Sequence, residues 1–260
     1  MVLKRLLAGI GFGGASVETR LDTAAAFPGG AVRGTVLIEG GDVEQQVEEL
    51  TVGLQALVET EVGDNEVKSN MEFHRVRLGG HTRLVPGQRF EVPFELPVPW
   101  EAPVTARNGR RLPSMNVGVN TRLAVANAVD PGDLDPVAIE PLPGQRAVLD
   151  ALDSLGFRFK KADLERGRIA RSRQRLPFYQ EIEYYSPGHY RGLNELELSF
   201  VADEHGMDVI LELDKKPGLF SEGRDTFKSF NVAHGQAAAM DWRQELDRWI
   251  TALAGRRGLF

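Results

Sequence analysis

Residues 50–58 read Leu50-Thr51-Val52-Gly53-Leu54-Gln55-Ala56-Leu57-Val58, and Leu50, Val52, Leu54, Ala56 and Val58 occupy every second position. A strand sends successive side chains to opposite faces, so a stripe with period two predicts one buried face of a β-strand. The same period runs outward on both sides. Upstream, Val17, Thr19 and Leu21 alternate with Glu18, Arg20 and Asp22, and Val32, Gly34, Val36 and Ile38 alternate with Arg33, Thr35, Leu37 and Glu39. Downstream, Val76 and Leu78 stand beside Arg75 and Arg77, and Phe90, Val92, Phe94 and Leu96 alternate with Arg89, Glu91, Pro93 and Glu95. Turn chemistry separates the runs at Pro28-Gly29-Gly30, Gly40-Gly41-Asp42, Gly63-Asp64-Asn65, Gly79-Gly80 and Pro86-Gly87. Strands with one apolar and one wet face belong to antiparallel sheets, and two such sheets packed face to face make a sandwich. A parallel α/β fold needs helical crossovers between strands, and none appears before residue 140. Pro93 cannot donate to a ladder, so its strand is expected at an edge or a bulge.

The second half is more mixed. Residues 97–116 form a proline-bearing connection containing Arg107, Arg110 and Arg111. In the next strand Val117, Val119, Thr121, Leu123 and Val125 share a face, and a strong turn signal follows at Val129-Asp130-Pro131-Gly132-Asp133-Leu134-Asp135-Pro136. The first helix is expected over 144–155, with Val148, Leu149, Leu152 and Leu155 on one side and Gly156 as the C-terminal cap. Further strands are expected over 176–185, 195–202 and 208–213. A closing helix over 236–254 aligns Trp242, Leu246, Trp249, Ile250 and Leu253 for docking on the body of the protein. The prediction is a mainly β chain of two antiparallel β-sandwich-type domains: 1–110, and a β-rich 111–260 carrying helices at 144–155 and 236–254.

Composition narrows the function. The net charge is −6, whereas a duplex-binding protein needs a basic surface to displace counterions, so nucleic acid is not an expected partner. The dense basic stretches, residues 166–175 and Arg256-Arg257, read as a solvated loop and a helix end. There are no cysteines, which removes disulfides, zinc–thiolate sites and a thiol nucleophile and points to the cytoplasm. Residues 2–8 read as a short amphipathic helix and not a signal peptide, because Gly9, Gly11, Gly13 and Gly14 interrupt the apolar run. No stretch approaches the 18 or so apolar residues of a membrane-spanning helix.

The chemistry-bearing patterns are weak. Gly9-Ile10-Gly11-Phe12-Gly13-Gly14 fits G-x-G-x-x-G, but the motif needs a strand before it and a helix after it, and here the order is reversed. His74, His81, His189, His205 and His234 lack the i, i+4 spacing of a zinc helix. Asp130, Asp133 and Asp135 place three carboxylates in a short loop and form the candidate cation site, although aspartates also build turns beside proline and glycine. No G-x-S-x-G elbow is present. The pairs Glu48-Glu49, Glu181 with Glu183 and Glu195 with Glu197 read as solubilising groups on a wet strand face. Phe178-Tyr179-Gln180-Glu181-Ile182-Glu183-Tyr184-Tyr185 is aromatic on both faces, as expected of a central strand or a contact surface. No catalytic residue, cofactor or assigned metal ligand follows, and an enzyme is not expected.

Several segments carry a family likeness. They include Val17-Glu18-Thr19-Arg20-Leu21, Pro28-Gly29-Gly30-Ala31-Val32-Arg33-Gly34-Thr35-Val36, Gly40-Gly41-Asp42-Val43-Glu44-Gln45-Gln46-Val47 and Phe94-Glu95-Leu96-Pro97. They continue with Ala128-Val129-Asp130-Pro131-Gly132-Asp133-Leu134-Asp135-Pro136, Leu155-Gly156-Phe157-Arg158-Phe159-Lys160 and Leu176-Pro177-Phe178-Tyr179-Gln180-Glu181. Together these segments resemble the Spo0M family of sporulation-control proteins. The resemblance implies an arrestin-like N-terminal β-sandwich joined to a β-rich domain, and a cytoplasmic, non-catalytic regulatory role in bacterial differentiation. The expected function is an adaptor or scaffold that binds other proteins through sheet edges and loops. The alternative is a metal- or ligand-binding domain, even an enzyme, using Asp130, Asp133 and Asp135. Unprotected edges and the Trp242/Trp249 helix add a homodimer to the expectations.

Overall fold

The computed structural model describes residues 13–63, 65–215 and 227–254. The expected helix over 2–8, most of the Gly9–Gly14 stretch and Arg256-Arg257 lie outside the described residues. The chain is mainly β and divides into two compact units that interleave in sequence. One comprises Met1–Leu57, Asn70–Pro99 and Asn116–Ile139, and the other Val58–Ser69, Trp100–Met115 and Glu140–Phe260.

In the first unit, β1 (Ser16–Leu21), β2 (Ala31–Glu39) and β6 (Arg89–Pro97) form an antiparallel sheet with β2 in the centre. Pro93 therefore sits on an edge strand, as its missing N–H requires. A second layer is built on β3 (Gln45–Val62), which pairs with β4 (Asn65–Gly79), β5 (Thr82–Leu84) and β9 (Val117–Val125). Beyond β9 lies β10 (Gly132–Pro136). Val32, Val36 and Ile38 from β2, Leu50, Val52, Leu54 and Ala56 from β3, Phe94 and Leu96 from β6, and Val119, Leu123 and Val125 from β9 are buried. These are the period-two stripes, and each such side chain contributes about 1.5–3 kcal/mol on leaving water. The β3–β4 hairpin turns at Gly63, whose φ of 64° is available to glycine at no steric cost. Gly53 leaves room for a neighbouring strand, since a Cβ there would stand 2.7 Å from the His74 carbonyl oxygen of β4.

The second unit holds a short antiparallel ribbon of β7 (Ala106–Arg107) and β8 (Arg110–Arg111) and an antiparallel meander of β11 (Arg158–Arg166), β12 (Phe178–Tyr185), β13 (Leu193–Ala202), β14 (Gly206–Lys215) and β15 (Phe227–Ala233). The end of β3 joins it through a parallel pairing of Glu59 with Glu165. β12 lies between β11 and β13, and Phe178, Ile182 and Tyr184 on one of its faces are buried, whereas Tyr185 on the other is exposed. The first helix, α1 (Pro143–Ser154), starts on Pro143, where an N–H is dispensable, and ends on Gly156 at φ 87°. Val148, Leu149 and Leu152 are buried as the helical pattern requires. The expected single helix over 236–254 is instead two, α2 (His234–Ala239) and α3 (Trp242–Ala254). Met240 takes extended angles, and Asp241 Oδ1 accepts the Gln244 N–H at 3.0 Å, an N-cap that restarts the helix. Trp242, Leu246 and Ile250 are buried and Trp249 is half-buried, so the helix docks by its apolar stripe.

Candidate functional site

The aspartate loop is a strand. β10 runs through Asp133 and Asp135 against β9, and the three carboxylates have separate duties. Asp130 is held by Arg122 and accepts the Val125 N–H at 3.0 Å, and that backbone bond, with the Arg122 guanidinium, keeps its carboxyl below the ordinary range. Asp133 accepts the Thr19 N–H at 2.8 Å and the Leu134 N–H at 2.9 Å. It thereby caps a main-chain donor of β1, beside a Thr19–Thr121 hydroxyl contact of 2.6 Å. These contacts tie the loop to its own unit, and the three aspartates do not form a cation-holding group among the described residues.

Asp135 is the strained member. Its Oδ2 is buried without a partner, and burial, the neighbouring Asp133 charge and Glu18 push its carboxyl up to about 6. A carboxyl raised in the folded state contributes stability that is complete below the unfolded value of 3.8 and is lost as pH rises through 6. Asp135→Asn puts a neutral amide in place of the buried carboxylate beside Asp133. The variant is expected to be more stable than the parent by about 1–2 kcal/mol at pH 7.5, allowing for partial exposure, and no more stable at pH 4. Thermal melts at the two pH values check this, and an equal gain at both would contradict it.

The histidines do not converge. His81 occupies a turn at φ 56°, His234 stacks on Trp100 with its Nε2 2.7 Å from the Asp203 carbonyl oxygen, and His189 packs on Tyr190. The outer face of β1, β2 and β6 holds a groove of about 380 Å³ lined by Glu18, Arg20, Leu37, Glu39, Arg89 and Glu91. Arg89 pairs with Glu39 at 3.1 Å and Arg20 with Glu18 at 3.4 Å, so much of its charge is already matched.

The acidic residues of β11 and β12 require a correction. Glu181 and Glu183 were expected on a wet face, yet Glu183 is only 6% exposed and Glu181 is half-buried. The register explains it: Asp163 faces Glu181 and Lys161 faces Glu183 across the β11–β12 pair, on the face opposite Ala162 and Ile182. Lys161 Nζ lies 2.7 Å from Asp163 Oδ2 and 3.0 Å from Glu183 Oε1, and Lys160 Nζ lies 2.8 Å from Glu183 Oε2 and 2.6 Å from Glu195. Lys68 pairs with Glu59. Burial alone would raise Glu183, but the two lysine hydrogen bonds hold it below its ordinary value. Glu181 has no such counter-charge. Burial, then Glu197, Asp163, Glu165 and Glu183, push it up to about 8. The cluster is hidden in the sequence because Lys160 is the extra residue at a register shift between Phe159 and Lys161, which breaks the alternation that would mark β11.

Among the described residues the meander ends on β15. β15 pairs with β14 from Phe227 to Ala233, and no described strand lies beyond it. Phe227, Lys228 and Ser229 are exposed, and the strand carries no proline. The edge strand β6, by contrast, carries Pro93 and Pro97.

Comparison with known proteins gives a consistent set of relatives. The family model described as SpoOM protein (Spo0M) matches residues 3–217. The chain is 34% identical over 215 residues to the sporulation-control protein spo0M of Bacillus subtilis (strain 168), covering 82% of this chain and 80% of that one. The crystal structure of Spo0M from Bacillus subtilis superposes with a TM-score of 0.80 at 28% identity, covering 93% of this chain and 100% of that chain.

Proposed function

We propose, from the premise that this chain belongs to the Spo0M family, that it is a bacterial regulator of sporulation or a related developmental programme, working as a protein-binding scaffold and not as an enzyme. Its relative in Bacillus subtilis is named for sporulation control. Within this proposal the chain is cytoplasmic and arrestin-like. No helix among the described residues is long and apolar enough to cross a membrane.

The observation that carries the binding mode is the β15 edge. An outer strand with no described strand paired beyond it offers main-chain donors and acceptors to an incoming strand. Proteins commonly blunt such edges with proline or inward charge, as β6 does with Pro93. A homodimer through paired β15 edges is the self-association version of the same contact, and Trp242 takes no part in it because it is buried within its own unit.

Photo-crosslinking in living cells tests the edge. A benzophenone residue replacing Ser229 is expected to yield discrete protein adducts, or a chain dimer, while one replacing Glu95 on β6 yields none. Adducts from both positions alike, or from neither, would count against β15 as the binding rim.

A further inference from the structure

The polar face of β11 and β12 concentrates carboxylates beyond what its lysines neutralise. Two groups of three acids bring ligand oxygens within 4.8 Å of one another: Glu59, Asp163 and Glu165, and Asp163, Glu181 and Glu183. Both include Asp163. Five carboxylates thus meet three ammonium groups, Lys68, Lys160 and Lys161, and Lys160 is shared further with Glu195. Crowded surface acids alone do not make a site, because water screens them.

The second observation is Asp163 itself. It is 6% exposed, its Oδ2 is bound by Lys161, and its Oδ1 is buried with no hydrogen-bond partner. An orphaned buried carboxylate oxygen has lost its water without replacement and is costly unless a donor or cation meets it. The orphan belongs to the one residue common to both triads, so the unmet demand falls where the acids converge.

We infer that Asp163, with Glu59, Glu165, Glu181 and Glu183 around it, forms a binding site for a hard divalent cation of calcium size. The donor set is entirely carboxylate oxygen, the chemistry of calcium or magnesium and not of the softer metals that seek imidazole or thiolate. Calcium takes six to eight oxygens at about 2.3–2.6 Å, so oxygens on opposite sides of the ion lie roughly 5 Å apart, which accommodates the 4.8 Å spread of each triad. Magnesium demands a tighter octahedron at about 2.1 Å. The strands also suit the role, since rigid paired strands hold ligands more closely than loops do. The inference is independent of the protein-binding rim on β15.

Chelator-treated full-length chain tests the site, with calcium, magnesium and manganese each added alone and binding followed by calorimetry and thermal melts. Calcium is expected to bind with saturable stoichiometry and to raise the melting temperature. Asp163→Asn is expected to weaken calcium binding at least tenfold. Because Asp163 also pairs with Lys161, Glu181→Gln, which breaks no lysine pair, provides a second reading and is expected to weaken binding as well. Asp133→Asn in the first unit is expected to leave affinity unchanged. Absence of calcium binding by the folded parent chain overturns the site, as does equal affinity in the parent, Asp163→Asn and Glu181→Gln. Preference for magnesium over calcium overturns the size assignment.

Discussion

Replacing Trp242 with alanine is expected to lower unfolding stability by about 4 kcal/mol, the largest single effect anticipated in this chain. Trp242 is 1% exposed at the first turn of α3, and its ring meets Phe230 of β15 edge-on at a centroid distance of 5.6 Å. Its Nε1–H donates to the Ala237 carbonyl oxygen of α2 at 2.7 Å. Truncation therefore opens a ring-sized cavity and leaves an accepting carbonyl at the end of α2 without its donor. Both losses fall where α2, α3 and the rim strand meet. Trp249, half-buried two turns further along the same stripe of α3, is the internal control, and Trp249→Ala is expected to cost about 1 kcal/mol. Urea denaturation of the two variants checks the contrast. Equal midpoints would mean that the helix is not anchored through Trp242.

Period two was sufficient for the first unit because its strands are amphipathic. Val32 to Ile38 and Leu50 to Val58 bury the residues that alternation selects, and Pro93 marks its own edge. Elsewhere alternation is interrupted or absent and carries no such signal. β11 changes phase at its register shift, so Phe159 and Ala162 do not fall on one simple stripe. β10 looked like a pure turn because aspartate, glycine and proline dominate it, yet it pairs residue by residue with β9. β15 is exposed along much of its length and leaves little hydrophobic signature. The break between α2 and α3 was legible in principle: Asp241 followed three residues later by Gln244 is a capping pattern, overridden by the continuous apolar stripe around it.

The carboxylate cluster shows a different limit. Glu181 and Glu183 stand two apart on one strand, and sequence alone places them correctly on one face. Whether that face is wet depends on Glu59, Asp163 and Glu165, which arrive from β3 and β11. Tertiary register, not local pattern, turns two ordinary surface acids into part of a buried group. The same holds for the interleaved units: β9 follows the proline-bearing connection in sequence but pairs with β3, so no composition change along the chain can mark that division.

Gln174→Leu is expected to destabilise the chain by about 3 kcal/mol and to open the 166–175 loop to trypsin. In sequence this loop is a basic, solvated stretch. In the structure it is wound around one amide. Gln174 is 7% exposed, and its Nε2 lies 2.8 Å from the carbonyl oxygens of Gly167 and Leu176 and 3.0 Å from that of Phe178, while its Oε1 accepts the Ile169 N–H at 2.8 Å. Leucine has nearly the same volume, so the cost is polar: the amide's backbone partners stay buried with their partner gone. Outside contacts do not replace it. Glu101 holds only the Arg175 and Leu176 N–H groups, and Arg173 reaches outward to Asp203 and Asp208. Cleavage after Arg166, Arg168, Arg171, Arg173 or Arg175 requires an extended loop, so the parent chain should resist trypsin there under native conditions while the variant is cut. Gln174→Glu separates the two halves of the amide: it keeps the acceptor for Ile169 but loses the donor to three carbonyls. It should therefore resemble leucine more than the parent, and parent-like protease resistance in both variants would show that the loop is held by something other than Gln174.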